Sequence, residues 1–344
     1  MDQDLDTVIR RGLEAVDAGD IQTALDAVDE AAKHVGENNV RVLHLNGMIA
    51  WAEGRVDNAA GYLMQAVDLG SELPEIYLDC AECLFVHGDD LDEAEAVVRA
   101  LLEREGVEEA ARDEGKLLLA QIRLDDDDPD EALELLDQVT PEMQQHPAYL
   151  STYGAVMLAS GRGEDAVKAL EKAVEVAPDD PDFYYQLGLT REAVGDSAGA
   201  AAAMLKVLEL DIAAAEAAED EDGDAPEALT DAAKSDLVSS FEEVLEEIPD
   251  KVLRLLAEAP VTVQRRATPE QVRGGVNPRA AVAFVGAAKT DAAPANLEGI
   301  VIMYDLLMIM IDEDDEIPEV FVVGIIDELR RFFDEALGVA SVEG

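Results

Sequence analysis

Gly12, Gly47, Ala81, Ala120, Gly154 and Gly188 recur at steps of 34 or 35 residues, lengthened to 39 between Ala81 and Ala120. A second small residue follows each by 12 or 13 positions, at Ala24, Ala59, Ala94, Ala132, Ala166 and Ala200, and a large apolar residue comes four later, at Val28, Leu63, Val98, Leu136, Leu170 and Met204. Two antiparallel helices cross closely only where one presents Gly or Ala, so this spacing predicts a helix-turn-helix unit repeated six times. Turn-forming stretches fall where that unit needs them, with AGD at 18–20, AEGR at 52–55, VHGDD at 86–90, SGRG at 160–163 and VGD at 194–196. Such units bury their apolar faces only against one another, which makes an α-solenoid the expected architecture.

The repeat resembles the tetratricopeptide (TPR) family, whose 34-residue unit carries this Gly, Ala and Pro pattern. The resemblance covers residues 1–211 and implies that first helices line a concave groove for a protein or peptide. The family's groove positions correspond here to His44, Met48, Trp51, Leu78, Glu82, Phe85, Leu117, Gln121, Tyr185 and Leu189. Trp51, the chain's one tryptophan, has two readings: an interface anchor, or packing against the neighbouring repeat.

Asp and Glu total 78 against 25 Lys and Arg, a net charge of -53. That field repels nucleic acid and anionic lipid and attracts basic proteins, so DNA, RNA and membranes are not expected partners. Two explanations for the acidity stay open: a salt-adapted surface, in keeping with 17 Arg against 8 Lys, and a surface for basic clients. The first residues, MDQDLDTVIRR, have no signal-type apolar segment, so a cytoplasmic location is expected. The run GIVIMYDLLMIMI at 299–311 is too short to span a bilayer and contains Asp305.

Cys80, Cys83 and His87 stand at i, i+3 and i+7 on one helical face. A structural zinc takes four ligands and no second Cys pair exists, so core packing is the expectation for these cysteines, with a metal site the lesser alternative and no cofactor foreseen. Nucleotide-loop, dinucleotide and hydrolase-elbow motifs are missing from the sequence. The acid run IDEDDEIPE at 311–319 lacks the Gly and ligand spacing of a calcium loop.

Residues 212–229, IAAAEAAEDEDGDAPEAL, with Ile212 and Leu229 their large apolar residues, read as an acidic linker or a frayed helix. Residues 230–344 read as a small α+β domain: a helix interrupted by Pro249, strands at 261–266 and 280–288, a β-rich run from Gly299, and a last helix around GIIDELRRFFDE. Between Val261 and Thr290 stand five cations, Arg265, Arg266, Arg273, Arg279 and Lys289, against Glu270 alone. This reversal points to a contact with the protein's own acids or to an acidic ligand.

The order FEEVLEEIPDKV, VTVQ, AVAFVG, GIVIMYDLL and then GIIDELRRFFDE resembles the minimal zincin-like metallopeptidase family, whose His-Glu-x-x-His helix holds zinc. Aligned on the glutamate, that motif is degenerate: Asp327, Glu328 and Arg331 stand at its positions and both histidines are replaced. Downstream, Asp334 and Leu337 stand near the family's glycine and acidic ligand. All four histidines, at 34, 44, 87 and 146, lie in the repeats, so this domain offers zinc only oxygen ligands, which it binds poorly. Arg331 is expected to take the place of the metal's charge, pairing with Asp327 and Glu328. The resemblance therefore implies a metal-free pseudoenzyme in a mainly α protein that acts as a scaffold or adaptor for protein or peptide partners, with a bacterial origin. Two alternatives stay open: a metal-dependent peptidase with atypical ligands, and an acidic chaperone for basic clients.

Overall fold

The computed structural model describes residues 2–87, 91–222, 229–248, 250–256, 259–289, 293–311 and 317–333. Twelve helices form six antiparallel pairs: α1 (Asp2–Asp17) with α2 (Ile21–Val35), α3 (Val40–Ala52) with α4 (Val56–Asp68), α5 (Pro74–His87) with α6 (Leu91–Glu103), α7 (Glu109–Asp125) with α8 (Pro129–Leu136), α9 (Pro147–Ala159) with α10 (Gly163–Val176), and α11 (Pro181–Ala193) with α12 (Ser197–Asp222). Side-chain caps start several of them: Asp20, Asn39, Asp128 and Asp180 accept from backbone N–H groups of the first turn, and Pro147 and Pro181 occupy the first helical turn.

The recurring small residues sit at the crossings. A Cβ at Gly47 would fall 2.7 Å from Leu63 Cγ, one at Gly154 3.0 Å from Leu170 Cγ, and one at Gly188 2.8 Å from Met204 Cε. The large apolar residue of each second helix therefore fills the notch left by the small residue of the first, and Ala24, Ala59, Ala94, Ala132 and Ala166 are fully buried beside it.

The chain divides into two compact units, residues 1–173 and 174–344. In the first, each pair packs on the next, and first helices also meet: α1 with α3, α5 with α7, and α7 with α9. The second unit begins with α11 and α12. It continues with α13 (Asp231–Glu247), α14 (Asp250–Leu256), β1 (Val261–Gln264), α15 (Pro269–Arg273), β2 (Val282–Ala287), β3 (Asn296–Met303), α16 (Tyr304–Met310) and α17 (Ile317–Phe333).

The three strands lie in the order β1-β3-β2, with β1 parallel and β2 antiparallel to the central β3. Alternation along β3 feeds two cores. Ile300 and Ile302 join Val282, Phe284, Phe241, Phe321 and Phe332 on one face; Val301 and Met303 join Ala283, Val272, Met204 and Val207 on the other. Helix α12 thus belongs to the sixth repeat and also covers the sheet. Gly286 sits at a bulge with φ 135°, where a Cβ would lie 2.1 Å from Asn296 O, so only glycine fits.

Residues 212–222, in the stretch read as an acidic linker or a frayed helix, are helical and end α12, because Ala and Glu are strong helix formers. Two sequence expectations meet a different structure. The division at 173/174 puts the sixth pair with the C-terminal elements instead of with the other five. The run GIVIMYDLL is a strand only to Met303 and then the helix α16, whose first turn is held where Asp305 N–H donates to Arg265 O and its carboxylate accepts from Arg265 and Arg266. Pro249, acids 312–316, Asp334 and Leu337 lie outside the described residues.

Candidate protein-binding face and the degenerate zinc-helix position

Two regions of the molecule carry the candidate residues. The first is the face made by first helices of the amino-terminal unit. Glu75, Leu78 and Glu82 share one side of α5, and Glu114 stands on α7 opposite them. Glu75, Leu78 and Glu114, but not Glu82, line a cleft of about 690 Å³ together with Glu72, Arg104, Glu105, Val107, Glu108 and their neighbours. Five glutamates form its rim, whereas Leu78, Val107 and two alanines supply apolar wall. Its one cation is engaged: Arg104 Nη1 donates to Tyr77 Oη at 2.8 Å and stacks over that ring at 5.2 Å. A second cleft of about 230 Å³, between Asp6, Ile9, Leu13, Arg41, His44 and Leu73, shares Glu75 with the first.

Residues of the expected groove divide by role. Leu78 lines the larger cleft, and Met48, Trp51, Leu78 and Phe85 lie half-buried around one apolar cluster that runs through repeats two to four. Glu82 stays at the surface, but surrounding protein desolvates it and Asp79 repels it, so its carboxyl titrates above the usual range.

Four others are tied up. His44 is buried and its Nε2 lies 2.6 Å from Asp79 Oδ2, joining repeat two to repeat three. Leu117 is buried in the repeat core, and Gln121 Nε2 donates to Thr152 Oγ1 at 3.0 Å, joining repeat four to repeat five. Tyr185 is covered within its own unit: Asn277 Nδ2 donates to its hydroxyl at 2.9 Å and Arg279 stacks over its ring at 5.2 Å. Leu189 is exposed at the edge of a cleft of about 290 Å³. Sequence reasoning missed Glu75 and Glu114, although each stands three residues before a predicted groove position and so shares its face.

Cys80 and Cys83 are free, fully buried thiols. Burial, with repulsion from Cys83, pushes the Cys80 thiol up to about 12, and burial with repulsion from Glu82 raises Cys83. Both side chains pack in the apolar cluster of repeats two to four. The His87 side chain lies outside the described residues.

The second region is the place of the degenerate zinc motif. Glu328 is buried, and both of its oxygens are occupied. Oε1 accepts from Arg331 Nε at 2.8 Å, while Oε2 accepts from Arg331 Nη2 at 2.6 Å and from Phe284 N–H at 2.7 Å. Arg331 in turn donates to Gly275 O at 2.9 Å and to Phe284 O at 3.3 Å. Burial opposes its charge, but Glu328 and, further off, Glu192 outweigh that and raise its pKa.

Asp327 is not part of this pair, contrary to the expectation. It is exposed and accepts from Arg330 Nη1 at 3.5 Å, while Glu328 and the carbonyls of Gly275 and Phe284 take up the Arg331 guanidinium. Phe284 lies on β2, an edge strand, and its outward N–H and C=O are the groups that an added strand would use. The ion pair fills both, so strand addition is blocked there. Among the described residues, no cluster of His, Cys, Asp and Glu could hold a metal ion.

The cation-rich segment 261–290 is engaged internally at three positions. Arg265 and Arg266 bind Asp305, and Arg279 reaches the sixth repeat, donating to both oxygens of Asp211 at 2.8 Å and to Asp182 at 2.6 Å. Arg279 thus rests on a first-helix tyrosine between two acids.

Two family models match the chain in sequence, both described as tetratricopeptide repeats, over residues 9–74 and 154–195. Those two segments match tetratricopeptide repeats. Repeats of this family commonly mediate protein–protein interactions. Among solved structures, the chain resembles PilW, a widely conserved type IV pilus biogenesis factor, at 15% identity and TM-score 0.53, over 60% of this chain and 93% of that one. It also resembles PilF of Pseudomonas aeruginosa, at 13% identity and TM-score 0.51, over 61% and 92%. A chain of the APC/C hetero-tetramer Cut9–Hcn1 matches at 12% identity and TM-score 0.50, over 58% of this chain and only 38% of that one. At these identities the likeness is one of fold. No curated protein matches the chain in sequence. None of the described helices is long and apolar enough to cross a membrane.

Proposed function

We propose that this protein is a non-catalytic adaptor whose TPR face in repeats three and four docks a basic, partly apolar segment of another protein. The observation that carries this reading is the cleft of about 690 Å³ with five glutamates on its rim, Leu78 in its wall and its one arginine already engaged. Opposite charges across such a cleft steer encounter and fix register, and an aliphatic anchor against Leu78 supplies the desolvated contact that holds the complex. The molecule contains its own precedent, since Arg279 sits over Tyr185 between Asp182 and Asp211 of the sixth repeat.

Apart from the short helices α14, α15 and α16, the C-terminal elements run helix, strand, strand, strand, helix as in the zincin-like resemblance, and we read them as a non-catalytic descendant. Glu328 supports that reading: a general base needs a free lone pair aimed at water, and both of its oxygens are engaged with Arg331 and Phe284.

A photo-crosslinking residue placed at Leu78, with the same residue at Leu25 on a second helix as control, tests the docking face. Adducts with a basic protein partner at Leu78 and none at Leu25 are expected; equal adducts at both positions overturn the assignment.

A further inference from the structure

Outside the TPR face, an apolar surface stands open on the C-terminal unit. Ile309 is 77% exposed, Val323 55%, and Met308 and Met310 47% each. Only Leu307 of α16 is fully buried and anchors that helix. Three consecutive large apolar residues turned to water are unusual in a chain this charged, and contiguous exposed apolar surface marks an interaction site. Met310 and Val323, with Val320, border a cleft of about 260 Å³, room for one anchoring side chain. The two methionines give the surface an adaptable shape.

We propose that Met308, Ile309, Met310 and Val323 form a second docking site, which takes the apolar face of a basic amphipathic helix from another protein. Charge selects this occupant. A second copy of the chain brings its own -53 and is repelled, whereas a cationic helix is attracted. Glu319 and Asp327 are exposed beside the patch on α17, and the sequence that joins α16 to α17 is Asp312-Glu313-Asp314-Asp315-Glu316. This proposal stands independently of the cleft in repeats three and four.

The test uses the full chain carrying Glu75→Lys, Glu108→Lys and Glu114→Lys, so that the TPR cleft does not compete for a basic probe. The probe is a fluorescent synthetic amphipathic helix of Leu and Lys, with a Leu and Glu twin of the same pattern as control, read by anisotropy. Binding of the Lys helix only is expected, and Ile309→Asp is expected to weaken it at least about tenfold, the scale of one interface anchor. Because this substitution adds negative charge at an exposed site, purely electrostatic attraction predicts equal or tighter binding, and that result overturns the proposal. Two other results also overturn it. A dimer seen by sedimentation that Ile309→Asp dissolves makes the occupant a second copy. Binding that tightens about tenfold when the chain ends at Phe333 makes the occupant its own C-terminal residues.

Discussion

Glu328 and Arg331 together occupy the outward N–H and C=O of Phe284, one accepting at 2.7 Å and the other donating at 3.3 Å. The pair imitates a neighbouring strand along the edge of β2 and fastens α17 to the sheet. Glu328→Ala leaves the half-buried Arg331 without its counterion and the Phe284 N–H without its acceptor, and is expected to lower stability by about 2–3 kcal/mol. Replacing both residues by Met should recover much of that loss. Urea unfolding of the two variants, with exchange of the Phe284 amide as a local probe, checks this; a single variant within about 0.5 kcal/mol of the parent chain would remove the clamp from the account.

Arg279 is the corresponding fastener between the sixth repeat and the segment after α15. Its pKa is raised by Asp211 first, against the opposing effect of burial, and then by Asp182. Arg279→Lys cannot keep a bidentate bond to Asp211 and the stacking on Tyr185 together, so it should lose about 1–3 kcal/mol. The parent chain should lose part of this margin in high salt, since the pair is partly exposed. A lysine variant as stable as the parent at every salt concentration would contradict this.

The thiols give a pH dependence with a definite sign. Cys80 titrates at about 12 when folded, against 9.0 as an unperturbed group, and burial raises Cys83 in the same direction. The folded state therefore holds these protons where the unfolded state releases them. Their contribution is complete below pH 9 and falls away as pH rises towards 12. Tyr149, pushed up to about 12 mainly by burial, adds to the loss above pH 10. Alkaline unfolding should move to higher pH in Cys80→Ala, and a thiol reagent at pH 8 should label neither cysteine until denaturant is added. Rapid native labelling would refute the buried placement.

Helix crossings make a fourth prediction. A valine at Gly47 would press on Leu63, whose Cγ lies 2.7 Å from the first added carbon. Overpacking there should lower stability by about 1–3 kcal/mol, and Leu63→Ala in the same chain should restore part of it. Additive losses in thermal unfolding of the double variant would show that the two positions do not share a notch.

The repeats were legible because their constraint is local and strict: where Leu63, Leu170 or Met204 crosses, an added Cβ would lie 2.7, 3.0 or 2.8 Å away, so glycine recurs in the sequence itself, with alanine at the same place in repeats three and four. Strand alternation was legible for a similar reason, since Ile300 and Ile302 face one core and Val301 and Met303 the other. Helix α15 was missed although TPEQ carries a capping box, in which Thr268 and Gln271 bond reciprocally. Helix α16 gave no such signal, as Met303 has no capping side chain and the apolar run passes unbroken from strand to helix. Pairings such as Arg279 with Asp182 and Asp211 join residues 97 and 68 positions apart, and no local pattern encodes them. Leu117 and His44 are buried although helical spacing puts them on the expected face, because burial depends on how the next repeat packs.

The central claim is that the acidic cleft of repeats three and four is the docking site, and calorimetric titration with a synthetic peptide of alternating Arg and Leu tests it most directly. Glu75→Lys, Glu108→Lys and Glu114→Lys reverse charge on the cleft; Asp29→Lys, Glu134→Lys and Glu164→Lys make the same net change on second helices. Loss of affinity by about thirtyfold or more in the first variant, with a change of less than about threefold in the second, is the predicted result. Equal losses in both would mean that the peptide reads the overall charge and no particular site, contradicting the account.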